Sequence, residues 1–431
     1  AEHRTTINKV RKIATEEGRA IAILADLAGP KFRLGRVSDN QILREGRKVR
    51  LVSRSIVGTA AHLSVTRPKE LLPALKRGDL VMIHDGNIEL EVQVPGENEV
   101  TCRVVIGGVL KKGAGINLPR TVLNIDCLTP KDKKDIAFCV KQDVDFIGLS
   151  FVRTAKDVQD CLDEIKANKG KMAIIAKLEK GEAVTNLKEI IDTSDGVMVA
   201  RGDLGIEIPL EEVPIAQKRI IAYANRRGKP VITATEMLLT MVSSPRPTRA
   251  EAADVANAII DGTDAVMLSE ETAKGKNPTE AVRVMERIAR ASEEDMFKQS
   301  HAHLREQSFI PDLAHAVAHS AVILAEEIGA SLIISPTDSG DTPRRLVRHR
   351  PRQTVLAMST SFHTVRRLAL SWGVIPWKIS RRIPPDQILS QMRERLLAEG
   401  LGKESDLAVL AAGYPFGANT STGRIIQTET L

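Results

Sequence analysis

Residues 172–204 read MAIIAKLEKGEAVTNLKEIIDTSDGVMVARGDL, and this stretch decides the fold. It opens with an apolar run at 172–179 and ends with a second one at 196–204, both rich in β-branched residues, with a longer helical pattern between them. Short continuous apolar runs separated by helices are typical of parallel strands that helices cover on both faces. The stretch therefore predicts a β-α-β unit.

The same alternation continues on both sides of this stretch. Further apolar runs lie at 21–27, 145–151, 230–237 and 265–270. Helix starts lie between the runs, because Thr129 precedes Pro130 as an N-cap residue, and Thr248 forms a capping box with Glu251. The predicted class is α/β, and the pattern alone leaves open whether the sheet is a barrel or doubly wound.

Two segments differ from this alternation and predict separate domains. Residues 34–123 carry short alternating runs, at 48–52, 80–83 and 88–94, broken by glycine turns. They predict a small β-domain inserted into the larger one and placed to act as a lid. A new strand and helix series after residue 289, with predicted strands at 331–335, 354–358 and 407–411, predicts a C-terminal α/β domain over 290–431. The catalytic domain then comprises residues 1–33 and 124–289.

The composition argues against several classes of protein. Hydrophobic residues make up 42% of the chain and charged residues 27%, and no apolar run approaches the length of a membrane span. The net charge is +7, but aromatic residues are only 3%, which does not favour a nucleic-acid surface. Four scattered cysteines without a C-x-x-C pair argue against zinc and favour the cytoplasm. We expect a cytoplasmic protein with neither nucleic acid nor a membrane as partner.

Ionisable side chains gather where the predicted strands end. Lys177 and Glu179 end the run at 172–179, and residues two apart in a strand point to the same side. Asp203 ends the next run, after Gly202, which permits close backbone approach. Parallel α/β folds bind ligands at the carboxyl ends of their strands, and two carboxylates there suit Mg²⁺. The alternative is a structural ion pair, which becomes less convincing when such charges occur on successive strands.

A hydroxyl lies at the same rim on the following strand. Thr235 ends the run at 230–237 and is placed to hydrogen-bond a substrate or to relay a proton. Threonine is also common in strands for reasons of packing, so this residue alone leaves both explanations open.

Several long motifs occur in a defined order along the chain. They are DFI at 145–147, SFVR at 150–153, VARGDLG at 199–205, VITAT at 231–235, PRPTRAE at 245–251 and DGTDAVMLS at 261–269. Together they resemble the pyruvate kinase family over nearly the whole chain. The resemblance implies a (β/α)₈ TIM barrel with an inserted small β-barrel domain and a C-terminal α/β regulatory domain.

The resemblance also implies a reaction and roles for individual residues. The phosphoryl group of phosphoenolpyruvate would pass to ADP, giving pyruvate and ATP in the last step of glycolysis. Glu179 and Asp203 would hold Mg²⁺, and Lys177 would stabilise the charge of the transferring group. The substrate would contact four residues, which are Arg201, Gly202, Asp203 and Thr235. Thr235 would also lie on the route that protonates the enolate. Arg33 would lie near the nucleotide phosphates, and the family is usually tetrameric, which predicts a homotetramer.

The chain departs from the family pattern at its beginning and at a cation site. Six strands are found where the barrel has eight, so we expect that an N-terminal segment with the first two strands precedes this sequence. A chain without those strands would be weakly active or inactive, because the barrel would not close. Leu27 and Lys31 stand where members that need K⁺ carry Thr and Glu, which predicts an enzyme that needs Mg²⁺ but not K⁺. Glu236 and Glu270 add negative charge near the site, without an evident purpose.

The C-terminal domain contains a candidate effector loop before a helix. Four residues form it, namely Thr337, Ser339, Gly340 and Thr342, and the corresponding family loop binds phosphorylated sugars. The segment GANTSTG at 417–423 could close over such a ligand. Asp338 and Asp341 would repel a phosphate, so a plain capped helix explains the loop equally well.

Two other functions are compatible with the sequence. One is a different Mg²⁺-dependent barrel enzyme acting on pyruvate or phosphoenolpyruvate, which the insert and the third domain argue against. The other is a catalytically silent, truncated relative kept for binding or regulation. The presence of Lys177, Glu179, Asp203 and Thr235 argues against the silent form.

Overall fold

The computed structural model describes residues 2–119, 121–123, 125–299, 312–414 and 423–431. Its strands, numbered along the chain, are β1 Leu24–Asp26, β2 Phe32–Arg33, β3 Ile42–Leu43, β4 Lys48–Val52, β5 His62–Ser64, β6 Leu80–Ile83, β7 Ile88–Val94, β8 Glu99–Ile106, β9 Gly108–Val109, β10 Gly115–Asn117, β11 Phe146–Leu149, β12 Ala173–Leu178, β13 Gly196–Ala200, β14 Val231–Ala234, β15 Ala265–Met267, β16 Leu332–Pro336, β17 Thr354–Ser359, β18 Val374–Lys378, β19 Leu407–Tyr414 and β20 Gly423–Thr430.

The helices of the described ranges connect and cover these strands. In chain order they are α1 Glu2–Glu16, α2 Pro68–Leu71, α3 Pro130–Lys141, α4 Ala155–Ala167, α5 Gly181–Thr185, α6 Leu187–Thr193, α7 Arg201–Glu207, α8 Val213–Arg226, α9 Arg249–Ile260, α10 Glu270–Ala273, α11 Pro278–Gln299, α12 Leu313–Glu327, α13 Asp341–Val347, α14 Phe362–Leu368 and α15 Ile388–Ala398.

A six-stranded parallel sheet in the order β1-β11-β12-β13-β14-β15 forms the main domain. Alternate residues of its strands face opposite sides, as the two-residue period of a strand requires. Ile174 packs into the core beneath the helices, whereas Ile175 packs with Met198 and Ile232 in a smaller core on the other face. Lys177 shares the parity of Ile175 and therefore ends the strand on that second face.

The strands are shorter than the runs that predicted them. The run at 196–204 was predicted as one strand, but β13 ends at Ala200 and residues 201–207 form the helix α7. The prediction that Asp203 ends a strand is therefore wrong, because it lies in the first turn of α7. Short apolar runs do not distinguish strand from helix by periodicity, and an acidic residue in a first turn is favoured by the helix dipole.

The inserted segment forms a seven-stranded sheet in the order β2-β10-β6-β7-β8-β4-β5. Three of its strands, β4, β6 and β7, have the bounds that the alternating pattern predicted. Phe32 and Arg33 pair with Ile116 and Gly115, so this sheet begins two residues before the predicted limit at residue 34. The limits of the three domains otherwise stay a prediction.

The C-terminal part contains a five-stranded sheet in the order β18-β17-β16-β19-β20. Its first four strands are parallel, and β20 returns antiparallel to β19. The sequence predicted β16, β17 and β19 but not β18 or β20. A Pro within β18 and the polar alternation of β20 make both weak strand signals.

Asp145 joins this domain to the barrel at the start of β11. Its side chain is fully buried and forms two salt bridges. A guanidinium nitrogen of Arg11 in α1 lies 2.6 Å from the carboxylate, and one of Arg366 in α14 lies 2.5 Å from it. The backbone N–H of Ile23 donates to the same carboxylate at 2.8 Å. One buried carboxylate therefore holds two arginines from opposite ends of the chain.

A buried histidine in the C-terminal domain predicts acid sensitivity. His349 is only 6% exposed, its ring stacks on His319 at 4.9 Å, and within the described ranges neither ring nitrogen has a hydrogen-bond partner. Burial, and then the charge of Arg348, lowers the pKa of His349 to about 3. The unfolded chain, with a pKa of about 6.5, binds this proton first, so stability is expected to fall below that pH by up to about 1.4 kcal/mol per pH unit.

Urea unfolding midpoints at several pH values measure this effect. The variant His349→Gln is expected to show a shallower loss of stability between neutral and acid pH than the wild type. His3→Gln, at an exposed position, is the matched control. Equal pH slopes for the wild type and His349→Gln would contradict the prediction.

Candidate functional site

Lys177 is the centre of a cluster at the carboxyl ends of the barrel strands. Its Nζ lies 2.9 Å from Oδ1 of Asp26 and 2.9 Å from Oε1 of Glu179. It also donates to Oγ of Ser150 at 2.8 Å. The backbone N–H of Phe151 donates to the second oxygen of Glu179 at 2.9 Å. The two-residue spacing thus brings Lys177 and Glu179 together, as predicted.

Burial and charge set the protonation of this cluster. Burial lowers the pKa of Lys177, but the charges of Glu179 and Asp26 outweigh it and raise that pKa to about 12. Burial also raises the pKa of Glu179, and the charge of Asp203 adds to this effect while Lys177 opposes it. Lys177 is therefore a permanent cation, and Glu179 is a carboxylate that gains from any further positive charge nearby.

Asp203 reaches the site from α7 and contacts Lys31. Lys31 lies in the stem of the insert, which consists of Lys31, β2 and β10. Nζ of Lys31 lies 3.6 Å from Oδ1 of Asp203, and both side chains are about one quarter exposed, at 27%. Leu27, four residues earlier, is 2% exposed and belongs to the barrel core. Lys31 is therefore a cation at the site, whereas Leu27 only packs.

Thr235 lies in a backbone conformation that is rare for threonine. Its φ is 68° and that of Glu236 is 56°, both in the left-handed region. Oγ of Thr235 accepts from the backbone N–H of Gly202 at 2.8 Å. Arg201 donates to the carbonyl of Thr235 at 2.8 Å and to Oδ1 of Asp254 at 2.6 Å. Arg201 thus holds the loop of Thr235 in place, and its predicted contact with substrate stays a prediction.

The remaining predicted residues lie at the edges of the site. Arg33 is exposed on β2 of the insert and donates to the carbonyl of Gly113 at 3.1 Å. Glu236 is exposed, and Glu270 forms an exposed ion pair with Lys274 at 2.7 Å. The structure therefore places Arg33 on the sheet of the insert rather than in the charged cluster.

The predicted effector loop is closed by its own hydrogen bonds. Oγ of Thr337 accepts from the N–H of Gly340 at 2.9 Å, and Oγ of Ser339 accepts from that of Asp341 at 3.3 Å. Gly340 has a φ of 85°, and Thr342 lies in the first turn of α13. Residues 417–422 of the segment predicted to cover this loop lie outside the described residues.

Sequence reasoning missed Asp26 and Ser150. Asp26 is the next-to-last residue of the first apolar run, as Glu179 is the last of its own, so a search for charges at strand ends was sufficient to find it. Ser150 is 3% exposed and donates to the carbonyl of Leu27 at 2.7 Å, which leaves its oxygen free to accept from Lys177 at 2.8 Å. No spacing rule links Ser150 to Lys177, because the two strands meet only in the sheet.

The carboxylates of Glu179 and Asp203 are of the chemical type that binds Mg²⁺. No group of three or more His, Cys, Asp or Glu side chains arranged for a metal ion occurs in the described ranges. Mg²⁺ is commonly held by only one or two carboxylates, with water and substrate phosphate completing the shell. Glu179 and Asp203 offer such a pair, and their mutual repulsion would be relieved by a divalent cation.

The fold and this cluster define a class of protein. Parallel strands and the helix α7 bring a lysine, three carboxylates and a constrained hydroxyl to one end of a barrel sheet, as in a barrel enzyme that acts on an anionic substrate. In the described ranges, no helix is both long and apolar enough to span a membrane.

Comparison with known proteins gives the particular family. Residues 1–282 match the model for the pyruvate kinase barrel domain, and residues 315–426 match that for the pyruvate kinase alpha/beta domain. The chain belongs to the pyruvate kinase family. It is thus a phosphotransferase, and the barrel class with a C-terminal α/β domain is confirmed.

Individual relatives agree with the family match. The pyruvate kinase of Thermococcus litoralis is 42% identical over 99% of this chain and 90% of its own length. That of Geobacillus stearothermophilus is 41% identical over 98% of this chain and 72% of its own length. A crystal structure of pyruvate kinase from Cryptosporidium parvum superposes with a TM-score of 0.91 at 34% identity, covering 99% of this chain and 88% of that one.

Proposed function

We propose that this pyruvate kinase uses Lys177, Glu179 and Asp203 to transfer the phosphoryl group of phosphoenolpyruvate to ADP. The observation that carries the assignment of roles is the position of Lys177. Its ammonium lies 2.9 Å from a carboxylate oxygen of Asp26 and 2.9 Å from one of Glu179. All three side chains lie at the carboxyl ends of the barrel strands. A fixed cation in a mostly buried site stabilises charge that develops on a transferring phosphoryl group.

The other residues bind, orient and move a proton. Glu179 and Asp203 would hold Mg²⁺, which when bound neutralises charge on the phosphate and aligns the two substrates. The N–H of Gly202 and the hydroxyl of Thr235 already meet at 2.8 Å, at the rim where the substrate carboxylate would bind. The hydroxyl of Thr235 is placed to pass a proton to the enolate through water. Arg33, on the lid, would meet the nucleotide phosphates.

A coupled assay for pyruvate tests this function. The full-length protein is expected to turn over phosphoenolpyruvate and ADP with Mg²⁺, and to stop when the metal is chelated. Asp203→Asn is expected to lose most of this activity, because one of the two metal carboxylates is gone. Asp163→Asn, in an exposed ion pair with Lys166, is the matched control. Folded, metal-loaded protein without turnover would refute the proposal.

The second part of the proposal is that the enzyme needs no K⁺. Lys31 supports it, because its ammonium lies 3.6 Å from Asp203 and supplies a fixed positive charge at the site. Replacing tetramethylammonium chloride by KCl at equal ionic strength is therefore expected to leave turnover nearly unchanged. Lys31→Glu is expected to reduce turnover and to make it respond to K⁺.

The control for this experiment is Lys69→Glu, at an exposed position of the insert. It changes the same charge away from the site and is expected to behave as the wild type. A strong K⁺ requirement of the wild-type enzyme would refute K⁺ independence but not the phosphoryl transfer.

The effector loop, the oligomer and the location are further parts of the proposal. The helix start at Gly340, with Arg344 and Arg345 in its last turn, supports a phosphate ligand, although the loop hydroxyls already have partners. Titration with sugar phosphates and nucleotides tests effector binding, and unchanged substrate affinity would refute it.

Exposed Leu210 and Ile215 support a homotetramer, which sedimentation would reveal. Four buried free thiols support a cytoplasmic location.

A further inference from the structure

A buried ion pair lies directly behind the two metal carboxylates. Nζ of Lys180 is 2.7 Å from Oε1 of Glu207, and their side chains are only 12% and 3% exposed. Lys180 follows Glu179 in the chain, and Glu207 lies one helical turn after Asp203 on α7. The pair therefore ties the end of β12 to α7, the two elements that carry Glu179 and Asp203.

The stem of the insert contacts the same face of α7 at two successive turns. Lys31, just before β2, meets Asp203 at 3.6 Å. Burial raises the pKa of Glu207, whereas Lys180 and then a hydrogen bond from Asn117, the last residue of β10, lower it. β2 and β10 are paired neighbours in the insert sheet, so both contacts belong to one stem. Lys31, Asn117 and Lys180 also line one cavity at this junction.

We infer that Glu207 is a positioning residue that couples the insert to the metal carboxylates, with Lys180 and Asn117 as its two partners. The inference rests on the proposed function, because it takes Glu179 and Asp203 as the metal ligands. Glu207 does not touch the substrate. It sets the spacing of Glu179 and Asp203 through Lys180, and transmits the position of the lid stem through Asn117.

The physical basis is the cost of leaving a buried charge without its partner. Asn117 is 4% exposed and Glu207 is 8% exposed. Water therefore cannot replace either side chain as a partner of the other unless one of them moves. A lid that swings away from the barrel must break the contact between Asn117 and Glu207 or carry α7 with it. A metal ion that fixes Asp203 on α7 also fixes Glu207, which favours the docked stem. Metal binding and lid docking are then reciprocal, as linkage requires.

Two variants test the inference through metal binding rather than turnover. Asn117→Ala removes the stem contact and leaves the ion pair intact, whereas Glu207→Gln removes the charge that Lys180 needs. Each is expected to weaken Mn²⁺ binding, followed by electron paramagnetic resonance without substrate, by about tenfold. The double variant is expected to lose less than the product of the single losses, because both changes act on one contact.

Hydrogen exchange and matched controls complete the test. Bound Mn²⁺ is expected to slow amide exchange in β10 of the wild type but not of Asn117→Ala. Asn87→Ala, at a turn of the insert, and Glu91→Gln, in an exposed pair with Arg103 at 2.6 Å, are the controls. If Glu207→Gln does not fold, Asn117→Ala carries the test alone.

The outcomes separate this inference from the proposed function. Unchanged Mn²⁺ affinity in folded Asn117→Ala, with a wild-type enzyme that binds Mn²⁺ and makes pyruvate, would overturn the coupling alone. A wild-type enzyme that neither binds Mn²⁺ nor makes pyruvate would overturn the proposed function as well.

Discussion

Replacing Lys177 by Met is expected to lower kcat by about 10²–10³, with a smaller change in the KM for phosphoenolpyruvate. Methionine keeps the length and apolar stem of the side chain and removes only the ammonium. The lost charge stabilises the transferring phosphoryl group more than the bound substrate, so the barrier rises more than binding weakens. Steady-state kinetics with saturating Mg²⁺ measures the two constants separately.

The same change is also expected to destabilise the protein, and a second substitution separates the two effects. Lys177→Met leaves the carboxylate of Glu179, which is 1% exposed, without its cation, and breaking a buried pair costs about 3–5 kcal/mol. Adding Glu179→Gln neutralises the buried partner, whereas the other partner, Asp26, is 61% exposed and can be solvated. The double variant is expected to regain stability in urea unfolding but not activity.

Lys156→Met is the matched control, because Lys156 forms an exposed pair with Asp160 at 2.7 Å. Exposed pairs of this kind contribute little to stability because solvent screens their charges, and this one lies away from the cluster. Activity of folded Lys177→Met close to that of the wild type would show that another group stabilises the phosphoryl charge.

Replacing Asp145 by Asn is expected to give the largest loss of stability, about 3–5 kcal/mol. The amide keeps the shape and one acceptor for the N–H of Ile23, but it removes the buried charge that compensates Arg11 and Arg366, and Arg366 keeps only the exposed Asp143 at 2.7 Å. Both arginines are largely buried, with side chains 23% and 14% exposed, so water does not replace the lost partner. The midpoint of urea unfolding, followed by far-ultraviolet circular dichroism, measures the loss.

Asp192→Asn is the control for this prediction, since Asp192 pairs with Arg227 at 2.5 Å but is 35% exposed. It keeps the chemistry of the substitution and changes only the burial. If both variants lost equal stability, burial of Asp145 would not be the cause. Turnover of Asp145→Asn at low temperature is expected to stay near that of the wild type, because Asp145 lies at the amino end of β11.

Local patterns were sufficient for the elements whose signals lie within a few residues. The strands β4, β6 and β7 have the predicted bounds because alternation and glycine turns are local features. Lys177 and Glu179 meet because a spacing of two places both on one side of an extended chain. The resemblance of the motifs to one family was confirmed by the family models and by relatives at about 40% identity.

Patterns failed where an apolar run crosses from one element into another. The run that contains Asp203 reads as one strand, yet the chain turns into α7 after Ala200. Arg201 contacts Thr235 and Asp254, which lie 34 and 53 residues away, so no local pattern predicts these partners, and its contact with the substrate stays a prediction. Such contacts depend on the order of strands in the sheet, and no spacing rule contains that order.

Sequence alone was enough to establish the α/β class, the family and the residue types at the strand ends, because side-chain period and motif order are properties of the chain itself. Only the tertiary structure decided that Asp26 and Ser150 complete the surroundings of Lys177. It also decided that Lys31 faces Asp203, and that Asn117 and Lys180 are both partners of Glu207. The physical reason is that these contacts join segments distant in sequence. Their energies come from burial and from charges at about 3 Å, which exist only after the strands have paired and the insert has docked.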